Sequence, residues 1–329
     1  MKKGKLLNFI LIPEVTSIIP IIIVIIVATI LNPIFLRPAN LQTLGTSLIA
    51  SWGILAVGQA FVVMVGELDI SIGATFTFAA MFFCFILRSG ASLFVAIVLT
   101  LILCIIVQMI TAGIVLKFGV SSFLTTLAMS YICKGMANVL NYGADLSLAT
   151  VANTNEAIKG FLTALSSKWL SLSIGSWVFF ALILISQFVM KKTEIGRKIY
   201  AVGDNKNVAK VAGLRVNRIK TLCFAIMGVT IALAAILWVG YYSGCTPTQG
   251  LQWGFITIAA VAMGGVSLSG GTGSMFGVFC GVLLMALIYN LITLLGVDTN
   301  YQNIFIGCFL AASVIIDVAR RNYTIGKNI

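Results

Sequence analysis

Long apolar stretches separated by short polar joints run from residue 16 to residue 319. About 20 consecutive apolar residues cross a bilayer as one helix. The pattern predicts ten such helices, near 16–36, 43–65, 71–88, 91–116, 121–141, 170–190, 219–241, 254–270, 274–296 and 301–319. The longest polar interruptions are 142–169 and 191–218. The chain reads as an all-α polytopic membrane protein. It forms one transmembrane domain over 1–329, with halves 1–190 and 219–329 joined by an aqueous loop at 191–218.

Composition agrees. Of 329 residues, 60% are hydrophobic and 9% charged, against about a quarter charged in soluble domains. That excludes a soluble enzyme, a disordered chain and a collagen-like one. The net charge of +12 is concentrated: 15 of 21 basic residues lie at 2–5, 191–220 and 320–327. Six predicted spans separate the first two clusters and four the last two, so all three share one side. Positive charge is retained on the cytoplasmic side, which predicts a bacterial cytoplasmic-membrane protein with both termini cytoplasmic. Placement of this kind argues against a nucleic-acid partner and for the lipid bilayer. No histidine is present, and the seven cysteines include no CxxC pair. Catalytic, metal-binding and cofactor-binding sets are therefore not read. The first apolar run is too long for a cleaved signal and is expected to stay in the membrane. On the opposite side, 142–169 is too small to capture solute as a domain, so capture would fall to a separate protein.

Three segments carry candidate mechanism. In the basic loop, Ile195, Ile199 and Val202 form one helical stripe, and Gly203-Asp204-Asn205 breaks it. Asn205 then caps a second short helix bearing Val208, Val211 and Ala212, which Gly213 stops. Such helices either dock a cytoplasmic subunit or pack on their own bundle. The second segment, Val65–Gly73, places Glu67 and Asp69 between apolar spans, where carboxylates are costly unless paired or solvated. Asp69 or Ser71 can cap the following helix; alternatively the segment is a helix break along a solute route. The third, Ile258–Ser274, carries Gly264-Gly265 and Gly270-Gly271. Small residues recur through Gly265, Ser269, Gly273, Gly277 and Gly281, suiting close helix contact or a re-entrant turn. Phe76, Phe78, Phe82 and Phe83 are read as lipid-facing, with stacking on a solute ring as the alternative. Lys134 either snorkels or faces a polar cavity. Leu268-Ser269-Gly270-Gly271 echoes an ATPase signature, but no GxxxxGK[ST] accompanies it. The chain is not read as hydrolysing ATP itself.

Together these segments resemble the permease family of bacterial ABC importers for ribose, xylose, galactosides and related sugars, including autoinducer-2. The family motif G-x-D-[LI]-S-[VI]-G is matched at Glu67–Gly73, with Glu67 in place of the first Gly. Its T-x-x-G-R-x-x-Y-A-x-G-x-N loop is matched, contracted, by Thr193-Glu194-Ile195-Gly196-Arg197 and then Tyr200, Ala201, Gly203 and Asn205. The glycine motif is matched from Ile258 to Ser274. The resemblance implies a type II importer fold of about ten helices, a second permease, two ATPase subunits and an extracytoplasmic solute-binding protein. It implies an ATPase-coupling role for Glu194, Gly196, Arg197, Tyr200, Ala201, Gly203, Asn205 and Gly213. Glu67, Asp69, Ser71, Gly264, Gly265, Gly270 and Gly271 would lie near the pathway. One departure stands out: two acids that the family usually carries are replaced by Gly254 and Ile256. The rival reading is an ion-coupled secondary transporter using Glu67 and Asp69.

Overall fold

A computed structural model describes residues 13–297 and single positions at 301, 304, 307, 308, 311 and 315. The predicted tenth span and the terminal basic clusters therefore lie largely outside the described residues. Helix α1 is Pro13–Leu31. Helix α2, Pro38–Thr43, continues through a wider-wound turn at Leu44–Ile49 into α3, Ala50–Met64. Then come α4 (Ile72–Arg88), α5 (Leu93–Phe118) and α6 (Ser122–Val139). The long polar interruption holds β1 (Leu146–Ser147), α7 (Ala149–Ala152), α8 (Glu156–Ser166) and a small hairpin of β2 (Lys168–Trp169) and β3 (Leu172–Ser173). Helix α9 (Ile174–Lys192) leads into α10 (Glu194–Asp204) and α11 (Lys206–Val211). Last come α12 (Val216–Tyr242), β4 (Gly244–Cys245), α13 (Trp253–Met263) and α14 (Met275–Leu294). The strands are two-residue pieces; β1 pairs with β4 and ties the long interruption to the end of α12.

Among the described residues, four helices, α5, α9, α12 and α14, are long and apolar enough to cross a membrane. Helix α12 is central, packing against α3, α4 and α5. Ile22, Ile23, Ile26 and Ile30 of α1, Ile102, Ile106 and Ile110 of α5, and Leu184, Ile185 and Phe188 of α9 face outward. A face of that kind is stable against lipid and not against water.

Helix α4 would run about 25 Å and α13 about 16 Å, both short of a bilayer core of about 30 Å. The predicted eighth span is corrected accordingly: its helix stops at Met263, and 264–274 is turn and loop with positive φ at Gly265, Gly270, Gly271 and Gly273. The small-residue ladder is likewise not one helical stripe. Only its later members act at a helix crossing, where a side chain on Gly264 or Gly277 would strike the other's carbonyl and one on Gly281 would strike Ala260 O. The non-helical approaches to α4 and α13 abut. A side chain on Gly73 would strike Gly250 O, and Gly250 N donates to Thr77 Oγ1 at 3.0 Å.

The predicted lipid-facing phenylalanines are also corrected. Phe76, Phe78 and Phe83 are buried and Phe82 is half-buried. Phe76 packs on Trp253 and Trp238, with ring centroids 4.6 and 6.0 Å apart. Lys134, in contrast, points out of the bundle.

The α13–α14 crossing gives a direct test. Gly281→Ala puts a methyl group into Ala260 O and is expected to cost about 1–3 kcal/mol. Gly113→Ala, which meets nothing within 4 Å, serves as the control. Thermal unfolding in detergent should drop for the first and hold or rise for the second.

Candidate functional site

The basic loop forms the two short helices its sequence predicts. Thr193 Oγ1 accepts from Gly196 N at 3.4 Å and starts α10. Asn205 Oδ1 accepts from Asn207 N at 3.0 Å and Val208 N at 3.2 Å, starting α11, and Gly213 ends the segment at φ +82°. Helix α10 packs on the bundle: Ile199, Val202 and Gly196 are buried, while Ile195 is exposed. Helix α11 buries only Ala209 and leaves Val208 and Val211 64% and 91% exposed. Arg197 and Ala201 also face solvent. Lys198 donates to Glu194 at 2.8 Å. That bond, with the charges of Lys198 and Arg197, holds the Glu194 carboxyl below its usual pKa.

The folding of the bundle brings all three sequence segments to one point. The backbone of Gly203 lies against Met64 O, where any side chain would collide. Gly271 N donates to Met64 O at 2.9 Å. A side chain on Gly270 would meet Gly66 Cα at 2.8 Å and Gly203 O at 2.9 Å, and one on Gly271 would meet Asp204 Cα at 2.6 Å. The φ angles of Gly270 and Gly271, +89° and +76°, are open to glycine without strain. Tyr200 adds a tether by donating to Gly273 O at 2.7 Å. Gly264 and Gly265 lie apart from this junction, at the end of α13.

Beyond Gly66 the chain is non-helical to Ser71. Its buried N–H groups need partners where water is scarce, and α6 supplies them. Leu68 N donates to Ser122 Oγ at 3.2 Å and Ile70 N to Thr126 Oγ1 at 3.1 Å. The spacing fits, since two extended residues cover about 6.6 Å and four helical residues about 6 Å. Asp69 Oδ1 accepts from Ser71 N and Ser71 Oγ, both at 2.6 Å, which closes a turn just before α4; Ser71, at the helix's N-terminal position, makes no side-chain cap. Among the described residues, Asp69 Oδ2 is buried without a partner. Glu67 forms an ion pair with Lys220 of α12, the two side chains being 13% and 10% exposed. An open cleft of ≈ 660 Å³ lies beside the pair, lined by Ser121, Asp204, Asn205, Lys206 and Asn217 among others.

Lys220 was hidden in the sequence among the other basic loop residues, and its role needs the third dimension. The Ser122/Thr126 pair was legible only as an i, i+4 hydroxyl pair at a helix start. The missing acid at Gly254 has a steric counterpart, because a side chain there would strike Ile70 O, and Ile256 is buried in the same packing.

An interrupted, lipid-faced helical bundle with one basic, helix-bearing loop is the architecture of a membrane transport subunit. Residues 43–314 match the family model described as the permease component of the branched-chain amino acid transport system, and the chain belongs to that family. It is 31% identical to the ribose import permease protein of Bacillus subtilis over 90% of this chain and 89% of that one. It is 29% identical to the ribose import permease protein of Escherichia coli over 92% and 93%. A third relative, an autoinducer 2 import system permease protein of Yersinia enterocolitica, is 30% identical over 84% and 83%. No solved structure matches.

Thr126→Val removes the partner of a buried N–H, at a cost of about 1–3 kcal/mol, and Ser122→Ala that of a half-buried one, at a smaller cost. Both variants should unfold at lower temperature in detergent, and the double variant should depart from the sum, because the two bonds hold one segment about 6 Å apart.

Proposed function

We propose that this chain is the transmembrane permease subunit of an ATP-binding-cassette importer. It carries a sugar or sugar-like small solute across the bacterial cytoplasmic membrane by ATP-driven alternating access. The observation that carries the reading is the junction at Met64: a basic loop with an uncovered apolar helix presses directly on the end of a core helix. On this reading the basic end is cytoplasmic, with both termini, and about ten spans make a type II importer permease. Two ATPase subunits dock there, a second permease, identical or homologous, completes the pore, and an extracytoplasmic solute-binding protein delivers cargo. The ribose and autoinducer 2 named for the relatives support the solute class.

Closure of the ATPase dimer would push α11 and α10. Gly203 would pass that push to Met64, and the bundles would rock between two packings of similar energy. Glu194, Gly196, Arg197, Tyr200, Ala201, Gly203, Asn205 and Gly213 belong to the coupling segment. Glu67, Asp69, Ser71, Gly264, Gly265, Gly270 and Gly271 belong to the breaks beside the pathway. The ion-coupled alternative loses ground because Glu67 is held by Lys220 and Asp69 Oδ1 by Ser71.

Three measurements test this. Reconstituted uptake should stop when the ATPase is hydrolysis-dead; uptake that persists refutes the engine. Val208→Cys and Val211→Cys should crosslink to the ATPase subunit, and crosslinks confined to the permease would make α11 a packed connector. Arg197→Glu, at an exposed position, should lower transport without lowering membrane insertion.

A further inference from the structure

We infer that the Glu67–Lys220 ion pair is a positioning element of the transport cycle, locking the non-helical segment before α4 to the foot of α12. The inference rests on the importer reading above. Its starting point is the turn at Gly66. The coupling helix touches Met64 and Gly66, and Gly66 sits at φ +81° between α3 and the segment 67–71. The turn there is closed by two backbone bonds, Gly66 N to Val63 O at 2.9 Å and Glu67 N to Val62 O at 3.0 Å, so these alone would carry a push on Met64 past the glycine. Glu67 is the first residue past that glycine. Lys220 lies in the second turn of α12, seven residues after Gly213 closes the coupling segment. The pair therefore supplies a second link, on the far side of the glycine, between the coupling region and the break.

Two further observations favour a moving link over a packing device. Stability alone does not call for ions at this depth, since a well-packed apolar pair serves as well or better. The pair also borders the open cleft of ≈ 660 Å³, which leaves room for the segment to shift. Glu67 stands where the resembled motif carries glycine, so this link belongs to this chain's own sequence.

The test uses the transporter assembled with its ATPase and binding protein in proteoliposomes. Three readouts apply: thermal stability, solute moved per ATP, and ATP-dependent change in thiol labelling of Leu68→Cys. The solute probe is radiolabelled D-ribose or L-arabinose, and the labelling readout needs no cargo. Glu67→Gln and Lys220→Met are each expected to lower solute per ATP about fivefold or more, the lower end of ordinary coupling effects. Both should reduce the ATP-dependent labelling change while ATP hydrolysis continues. The exchanged pair, Glu67→Lys with Lys220→Glu, should recover both. The apolar pair, Glu67→Met with Lys220→Met, should keep or raise thermal stability and stay uncoupled. An apolar pair with the parent's labelling change and stoichiometry overturns the inference, as does a folded exchanged pair that recovers nothing. A parent that accumulates solute without ATP overturns the importer reading first, and the pair's role with it.

Discussion

The Met64 carbonyl is the point on which the three candidate segments depend. The last carbonyls of any helix lack partners within it, and inside an apolar bundle a missing partner is costly. Here Gly271 N meets that need at 2.9 Å. For the glycine loop to come so close, Gly270 and Gly271 must hold positive φ, and α10 must pass with no side chain at Gly203. One hydrogen bond thus fixes the end of a core helix, the turn after α13 and α10 against one another. Little slack is left between the basic loop and the bundle.

The same rule explains the break before α4. A non-helical stretch survives inside such a bundle only where neighbouring side chains replace the lost helical bonds. Ser122 and Thr126 do this for two N–H groups, and Asp69 for a third, that of Ser71. Glu67 is paired with Lys220 and one oxygen of Asp69 with Ser71, while the other Asp69 oxygen is buried without a partner among the described residues.

Features set by local order were legible in the chain. The ends of α10 and α11 follow from Thr193, Asn205 and Gly213, whose side chain or backbone freedom acts within a few residues. Features set by contacts far apart were not. Apolar content alone placed Phe76 toward lipid, yet its neighbours Trp238 and Trp253 lie over 160 positions away and enclose it. Hydropathy also carried the eighth span through to residue 270, because glycine and serine are mild on any apolar scale while freely adopting φ values no helix allows. The convergence of three motifs at Met64 was beyond sequence reading, for each looked locally complete.

The replacement at Gly254 links these themes. In this packing the start of α13 lies against Ile70 O, and an acidic side chain there would collide with it. The two breaks therefore fit together because position 254 carries no side chain, and Gly73 answers it from the other side against Gly250 O. On the proposed cycle, that makes the contact between the two breaks tighter and drier in this protein than the resembled motif implies. Trp253 belongs to that contact, buried against Trp52, Phe76 and Trp238, so its ring holds the two breaks together.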